Sequence, residues 1–350
     1  MHLNRRSLLA SAATLPLLAA CATDLSKDRE RPVAELAQDL GVCSATSAVV
    51  RAGVAQPPMA LSGCGESIRP DAIFQAASLT KPVFAFGVLR LVLDGQLELG
   101  SAVSRYLPNG YKHYRSVLAR SAGDPHDIVP ATALSAVPVA TLLNHTSGFP
   151  NWASGTLSRN FEPGLRWQYS GEGYLVLHAV VETITGMDLS SYFDRQVFAP
   201  LSMHDTSLVW QASFGDRVQR GTGVGRDVRF TAPVAAASLY TTASDYARFM
   251  SALLIDDPIA SLTISRPVEV DRRLGLAWGL GWGIEHGAGS PCIWQWGNNP
   301  GYRSFAMASL GSKDGFVILT NSDRGMPLAA SVAHATLPEQ HNAFRFPMVR

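Results

Sequence analysis

Residues 83–99 read VFAFGVLRLVLDGQLEL. Apolar side chains fill nearly every position as far as Leu93, so a helix formed here has no polar face to offer water. Other elements must enclose it on most sides. The spacing predicts a start at Ser78 to Pro82, where a proline is tolerated in a first turn, and a stop near Asp94-Gly95.

The enclosing elements are legible on both sides. Upstream, VAELAQDLG reads as an amphipathic helix closed by Gly41, and TSAVVRAG with PPMALSGCG read as an antiparallel hairpin. Downstream, from Ser101 to about Arg273, helical patterns such as YLVLHAVVETITG and TASDYARFMSALLI alternate with long loops. The last third returns to strand-like runs, LAWGLGWGIE, CIWQWG, SFAMASL and GFVILTN, and a final helix is expected from Pro327 to Leu337. The expected fold class is α/β (α+β). Strands from both termini share one antiparallel sheet flanked by helices, and a mostly helical lobe, roughly 101–273, is inserted between them. A cleft between sheet and lobe is the natural place for a site.

The N-terminus reads as targeting. NRRSLLASAATLPLLAAC sets Arg5 and Arg6 before a short apolar run interrupted by Pro16, which is an export signal rather than a membrane span. LAAC at Leu18 to Cys21 resembles a bacterial lipobox, which implies a lipid anchor on Cys21 and an exported, periplasmic protein; cleavage at a nearby small-residue site would instead give a soluble one. Residues 22–32 read as a polar tether and 33–350 as a single domain. Cys43, Cys64 and Cys292 remain, and the first two flank the hairpin, where a disulfide and two free thiols are both open. No CxxC, HxH or HExxH spacing occurs, so neither metal nor cofactor is expected. With 47% hydrophobic residues, 16% charged and a net charge of +1, the chain is neither disordered nor built to bind nucleic acid.

The chain has four lysines, Lys27, Lys81, Lys112 and Lys313, and Lys81 opens the apolar helix within AASLTKPVFAF. Ser78 lies three residues earlier, within reach on a helical turn. A serine hydroxyl needs a base to become a nucleophile, and a lysine serves when apolar surroundings lower its pKa. S-x-x-K alone also fits a surface lysine after a helix cap.

Further segments decide the matter. The stretch resembles the S-x-x-K motif of serine β-lactamases and penicillin-binding proteins. LLNHTSGFPNW resembles the L-L-x-H-T-S-G segment of class C β-lactamase-like proteins and family VIII carboxylesterases. FEPGLRWQYSGEGY is similar to the segment carrying Y-x-N, which sets the family's tyrosine on Tyr169. AAASLYTTASDYARFM, GLGW and NPGYRSF also sit where that superfamily has related phrases. The resemblance implies an acyl-enzyme on Ser78, with Lys81 and Tyr169 moving protons. It also implies an oxyanion hole from the backbone N–H groups of Ser78 and Asn298.

Two motifs depart from the pattern. Gly171 stands where Y-x-N has asparagine, and Gln295, Trp296 and Gly297 stand at the K-T-G position, so its lysine is gone. Arg303 is a candidate replacement cation, or else a surface arginine after a turn. These changes point to a small uncharged acyl ester as the substrate, since the lost lysine holds a carboxylate in β-lactams and D-alanyl peptides. The alternatives are a weak class C-type β-lactamase or D-alanyl carboxypeptidase, a penicillin-binding sensor without turnover, and an inactive scaffold. No G-x-S-x-G elbow exists for a serine–histidine triad, so His145 reads as a structural hydrogen-bonder in a loop under the cleft. GTGVG and WGLGWG read as turns and sheet crossings. Trp152, Trp167, Trp296 and Tyr302 are candidate walls for an apolar acyl group.

Overall fold

The computed structural model describes residues 25, 28–118, 120–121, 123–223, 228–287 and 289–349. The expected export signal, Cys21 and part of the tether lie outside the described residues.

Along the chain the strands are β1 (Ala45–Arg51), β2 (Val54–Ala55), β3 (Met59–Leu61), β4 (Phe74–Ala77), β5 (Tyr111–Tyr114), β6 (His126–Val129) and β7 (Leu239–Thr241). They continue with β8 (Val268–Asp271), β9 (Leu276–Trp278), β10 (Gly283–Glu285), β11 (Cys292–Asn299), β12 (Tyr302–Ser309) and β13 (Gly315–Thr320). Nine form one sheet in the order β2-β1-β13-β12-β11-β10-β9-β8, with β3 also paired to β1. The pairings are antiparallel, and β1 docks on β13 with Ala45 opposite Thr320. The two ends of the chain therefore complete one sheet, as the strand-like runs predict.

Strand periodicity divides the core in two. On β13, Val317 and Leu319 face one hydrophobic cluster while Phe316 and Ile318 face the other. On β12, Ala306 and Ala308 face the first and Phe305 and Met307 the second. The aromatic-rich face is covered by the helices Val33–Leu40 and Met326–Thr336, the opposite face by the helix Ala243–Ile255 and the lobe. Both faces of the C-terminal strands are thus buried, which is why GFVILT shows no polar alternation.

The apolar helix runs from Thr80 to Leu93 and buries most of its positions, as enclosure demands. It begins two residues later than Ser78. β4 is absent from the sequence reading; it pairs with β7 as a separate two-stranded sheet. The hairpin β5–β6, also unforeseen, lies inside the lobe; four-residue strands of mixed polarity leave little pattern. Because the helix Ala243–Ile255 packs on β1 and β13 and β8 is a strand of the sheet, the lobe's helical part closes well before residue 273. LAWGLGWGIE is two strands, β9 and β10, joined at Gly279 to Trp282. Cys43 and Cys64 form a disulfide across the hairpin, and Cys292 is a buried free thiol.

Candidate active site

Ser78 sits in the turn between β4 and the apolar helix. Ala77 just before it has a φ of 51°, a left-handed value that turns the chain sharply out of the strand. Its Lys81 partner lies in the first helical turn, with Nζ 3.0 Å from Ser78 Oγ and donating to the Ala236 carbonyl at 2.8 Å. Lys81 is fully buried, and burial lowers its pKa from 10.5 to about 7. Among the described residues no carboxylate pairs with it.

Tyr169 completes the group. Its ring lies 4.7 Å beneath the Lys81 nitrogen, and its hydroxyl oxygen accepts from Gln295 Nε2 at 3.1 Å. Burial raises its pKa above the ordinary phenol value, so it holds its proton at neutral pH. His145 fixes the strand of backbone that carries it. The His145 carbonyl accepts from Gln168 N–H and Nδ1 accepts from Ser170 N–H at 3.1 Å, on either side of Tyr169, while the imidazole packs 4.4 Å from the tyrosine ring. His145 holds a φ of 60° and is neutral, its pKa pushed well down by burial and by the Lys81 charge. It braces the tyrosine and takes no place in a triad.

A cavity of about 510 Å³ opens on Ser78 and Tyr169. Its polar lining is Gln75, Ser78, Asn151, Tyr169, Asn298 and Asn299; Trp152, Trp296, Tyr302, Phe230 and Met348 contribute most of the apolar wall. Among the described residues no charged side chain lines it. Asn299 donates to Gln75 Oε1 at 3.0 Å and to the Ala237 carbonyl, which ties β11 to β4 across the floor.

Of the residues singled out in the sequence, Ser78, Lys81, Tyr169, Trp296 and Asn298 come together here, with Trp152 and Tyr302. Gly297, Gly171, Gln295, Arg303 and Trp167 do not reach the cavity wall. Gly297 is covered: a Cβ there would sit 2.0 Å from Ser304 Oγ and 2.4 Å from the Ala76 carbonyl, so glycine lets β11 pass tightly beside the strand that delivers Ser78. Gly171 opens the helix Gly171–Thr185, and a Cβ would meet the Asn151 carbonyl at 2.6 Å and the Trp152 ring at 2.8 Å. The indole of Trp152 therefore occupies the room an asparagine side chain would need. Gln295 lies wholly buried behind Tyr169. Arg303 pairs with Asp323 at 2.7 Å and donates to the Asn299 and Tyr302 carbonyls, so it supplies no cation to the site. Trp167 packs behind Tyr169 and His145 rather than on the cavity.

Sequence reasoning missed the Ala236 carbonyl, Gln75, Asn151, Asn299 and Met348. Asn299 follows directly on the third motif and AAASL contains Ala236, so both carried a positional signal. Met348 carried none, because only the fold brings the C-terminal segment to the cavity mouth.

Comparison with known proteins follows from this geometry. Residues 34–339 match the family model described as Beta-lactamase. Esterase EstB of Burkholderia gladioli is 29% identical over 331 residues, covering 74% of this chain and 79% of that protein. Penicillin-binding protein 4* of Bacillus subtilis (strain 168) is 25% identical over 305 residues, covering 73% of this chain, which spans only 62% of that relative's length. The crystal structure of a β-lactamase/D-alanine carboxypeptidase from Pseudomonas syringae superposes with a TM-score of 0.69 at 16% identity, over 89% of this chain and 96% of that one.

Proposed function

The chain belongs to the beta-lactamase family, and from that premise we propose that it is a serine hydrolase that cleaves uncharged carboxylic esters through an acyl-enzyme on Ser78. The observation that carries the substrate class is the cavity, whose described lining holds no charged side chain to pair with the carboxylate of a β-lactam or a D-alanyl peptide. Trp152 lends support, since it fills the space in which a side-chain amide at position 171 would meet a substrate amide. An ester asks for neither group.

Each step uses groups already within reach. Lys81, neutral for a useful fraction of the time near pH 7, takes the Ser78 proton as Oγ bonds to the acyl carbon. The carbonyl oxygen collects the charge between the N–H groups of Ser78 and Asn298, each such donor contributing about 3 kcal/mol in the transition state. Tyr169 protonates the departing alkoxide and recovers a proton from Lys81. Water enters by the reverse path and releases the acid.

The test is purified protein assayed on p-nitrophenyl acetate and butyrate, a chromogenic cephalosporin and a D-Ala-D-Ala peptide, beside Ser78→Ala. Ester turnover that falls by roughly 10³-fold or more in Ser78→Ala supports the reading. Cephalosporin or peptide turnover above ester turnover would overturn the substrate class. A lasting adduct on Ser78 without turnover would make the protein a penicillin-binding sensor instead.

A further inference from the structure

Four amide side chains line the cavity, Gln75, Asn151, Asn298 and Asn299, and they differ in what they have left to offer a substrate. Gln75 Nε2 donates to the Val228 carbonyl at 2.6 Å and to the Tyr240 hydroxyl at 3.4 Å, so both its hydrogens are engaged. Asn299 Nδ2 is spent in the same way on Gln75 and Ala237. Asn298 is exposed, and no hydrogen bond to a described residue fixes its side chain. Asn151 alone of the four is both fixed and unspent. Its Oδ1 accepts from the Gly171 N–H at 3.0 Å, while its Nδ2 has no partner among the described residues. Turned end for end, the amide would set Nδ2 against that N–H, donor against donor, so the oxygen faces the backbone and the nitrogen is the end left over.

The segment that carries Asn151 is firmly built. Phe149 to Ala153 runs beside Gln168 to Glu172, the stretch that holds Tyr169. Gln168 Nε2 donates to the Phe149 carbonyl at 3.3 Å, and Ser170 Oγ donates to the Pro150 carbonyl at 3.0 Å. The Asn151 carbonyl accepts from the N–H groups of Gly171 and Glu172 at 3.0 and 3.1 Å. The Ala153 N–H donates to the buried Glu172 carboxylate at 2.9 Å. Asn151 is therefore tied to the backbone that positions Tyr169. A donor held this way loses little freedom when it binds. A substrate that brings an acceptor satisfies it, whereas one that brings a methyl group strands it. The acceptor is neutral, because among the described residues the cavity lining has no cation to match a carboxylate.

We infer that Asn151 is a substrate-binding residue whose Nδ2 donates to a neutral acceptor oxygen, of a ketone, ether or second ester, elsewhere on the ester that Ser78 attacks. The substrate class narrows from uncharged esters at large to esters that carry a second oxygen function. The inference rests on Ser78 hydrolysing esters. Trp152, exposed next to Asn151 on the cavity wall, offers an apolar surface to the carbon chain between the two functions.

Matched esters test it, with hydrolysis followed at pH 8 by release of acid. Ethyl 4-oxopentanoate is set against ethyl 4-methylpentanoate, and 4-oxopentyl acetate against 4-methylpentyl acetate. Each pair exchanges a carbonyl oxygen for a methyl group of similar size, the first pair on the acyl side and the second on the alcohol side. The 5-oxo and 5-methyl homologues extend the reach by one bond. Wild type is compared with Asn151→Ala, which removes the donor, and with Asn151→Asp, which still accepts from Gly171 but puts a second acceptor in the donor's place. The quantity read is the ketone-to-methyl ratio of kcat/KM, because the esters' own reactivities cancel between variants. In Asn151→Ala that ratio is expected to fall about fivefold for the pair whose oxygen meets Nδ2. In Asn151→Asp, ionised at pH 8, it is expected to fall about tenfold or more. A residue that only held its segment in place would slow both members of a pair alike. Ratios unchanged in both variants for every pair would thus overturn the inference and leave ester hydrolysis standing. If one variant fails to fold by circular dichroism, the other decides. Wild type that hydrolyses none of the esters overturns the ester reading and this inference with it, and that is seen before any variant is made.

Discussion

Lys81 is buried without an opposing carboxylate among the described residues, and holding it there has a cost that depends on pH. Its pKa falls from 10.5 to about 7, which corresponds to roughly 5 kcal/mol for a group wholly out of water. The folded value lies below the unfolded one, so between about pH 7 and 10.5 the unfolded chain carries a proton that the folded chain lacks. Wild type thus gains stability as pH rises through that window, and below about 7 the cost is constant. Lys81→Met is predicted to abolish ester turnover. Its stability relative to wild type, measured by urea unfolding, is greatest at pH 7 and declines toward pH 10; a difference independent of pH would refute the account. In wild type, kcat/KM is expected to rise with an apparent pKa near 7 as the base loses its proton. Ser78, Lys81 and Tyr169 were readable in the sequence because each sits in a local phrase of fixed spacing. Gln295 was readable as a missing lysine but not as a neighbour of Tyr169, since that contact depends on where a different strand ends.

At the scale of elements, the backbone of Gln168 to Ser170 is held not by a neighbouring strand but by His145, which offers a carbonyl to one amide and a ring nitrogen to another. HTSG promised a structural histidine, and the fold explains why it must be unprotonated: Nδ1 can accept from Ser170 only without a proton. His145→Asn keeps a residue tolerant of the left-handed backbone and removes the imidazole. It is predicted to lower kcat by about 10- to 100-fold with a smaller change in KM, because Tyr169 loses its brace. The histidine's folded pKa lies well below 6.5, so the unfolded chain binds more protons as pH falls below that value and wild type loses stability there. Thermal unfolding from pH 7.5 to 5 should show this loss in wild type and a weaker one in the variant; parallel curves would count against a neutral, buried ring. The strands β4 and β7 escaped the sequence because three or four residues leave no periodicity, although they aim Ser78.

For the molecule as a whole, the sheet shared by both ends was legible because its last strands are continuous apolar runs, and the lobe was legible only in outline. The Cys43–Cys64 bond was left open in the sequence, since spacing alone cannot bring two thiols together; the pairing of β1 with β3 does so. Closing a loop of that length, a separation of 21 residues, contributes about 3 kcal/mol in the chain-entropy account. Reduction with dithiothreitol is therefore expected to lower the urea midpoint. An unchanged midpoint would mean that the bridge constrains little.

The pairing of β1 with β13 also sets a timetable. Ala45 meets Thr320, a separation of 320 − 45 = 275 residues. At ordinary rates of synthesis the second partner emerges roughly 15 to 50 s after the first. Throughout that interval β1 has only its hairpin partners β2 and β3 and no neighbour from the C-terminal strands, so an early part of the chain is among the last to be secured. A chain cut short anywhere before Gly315 loses its beginning as well as its end.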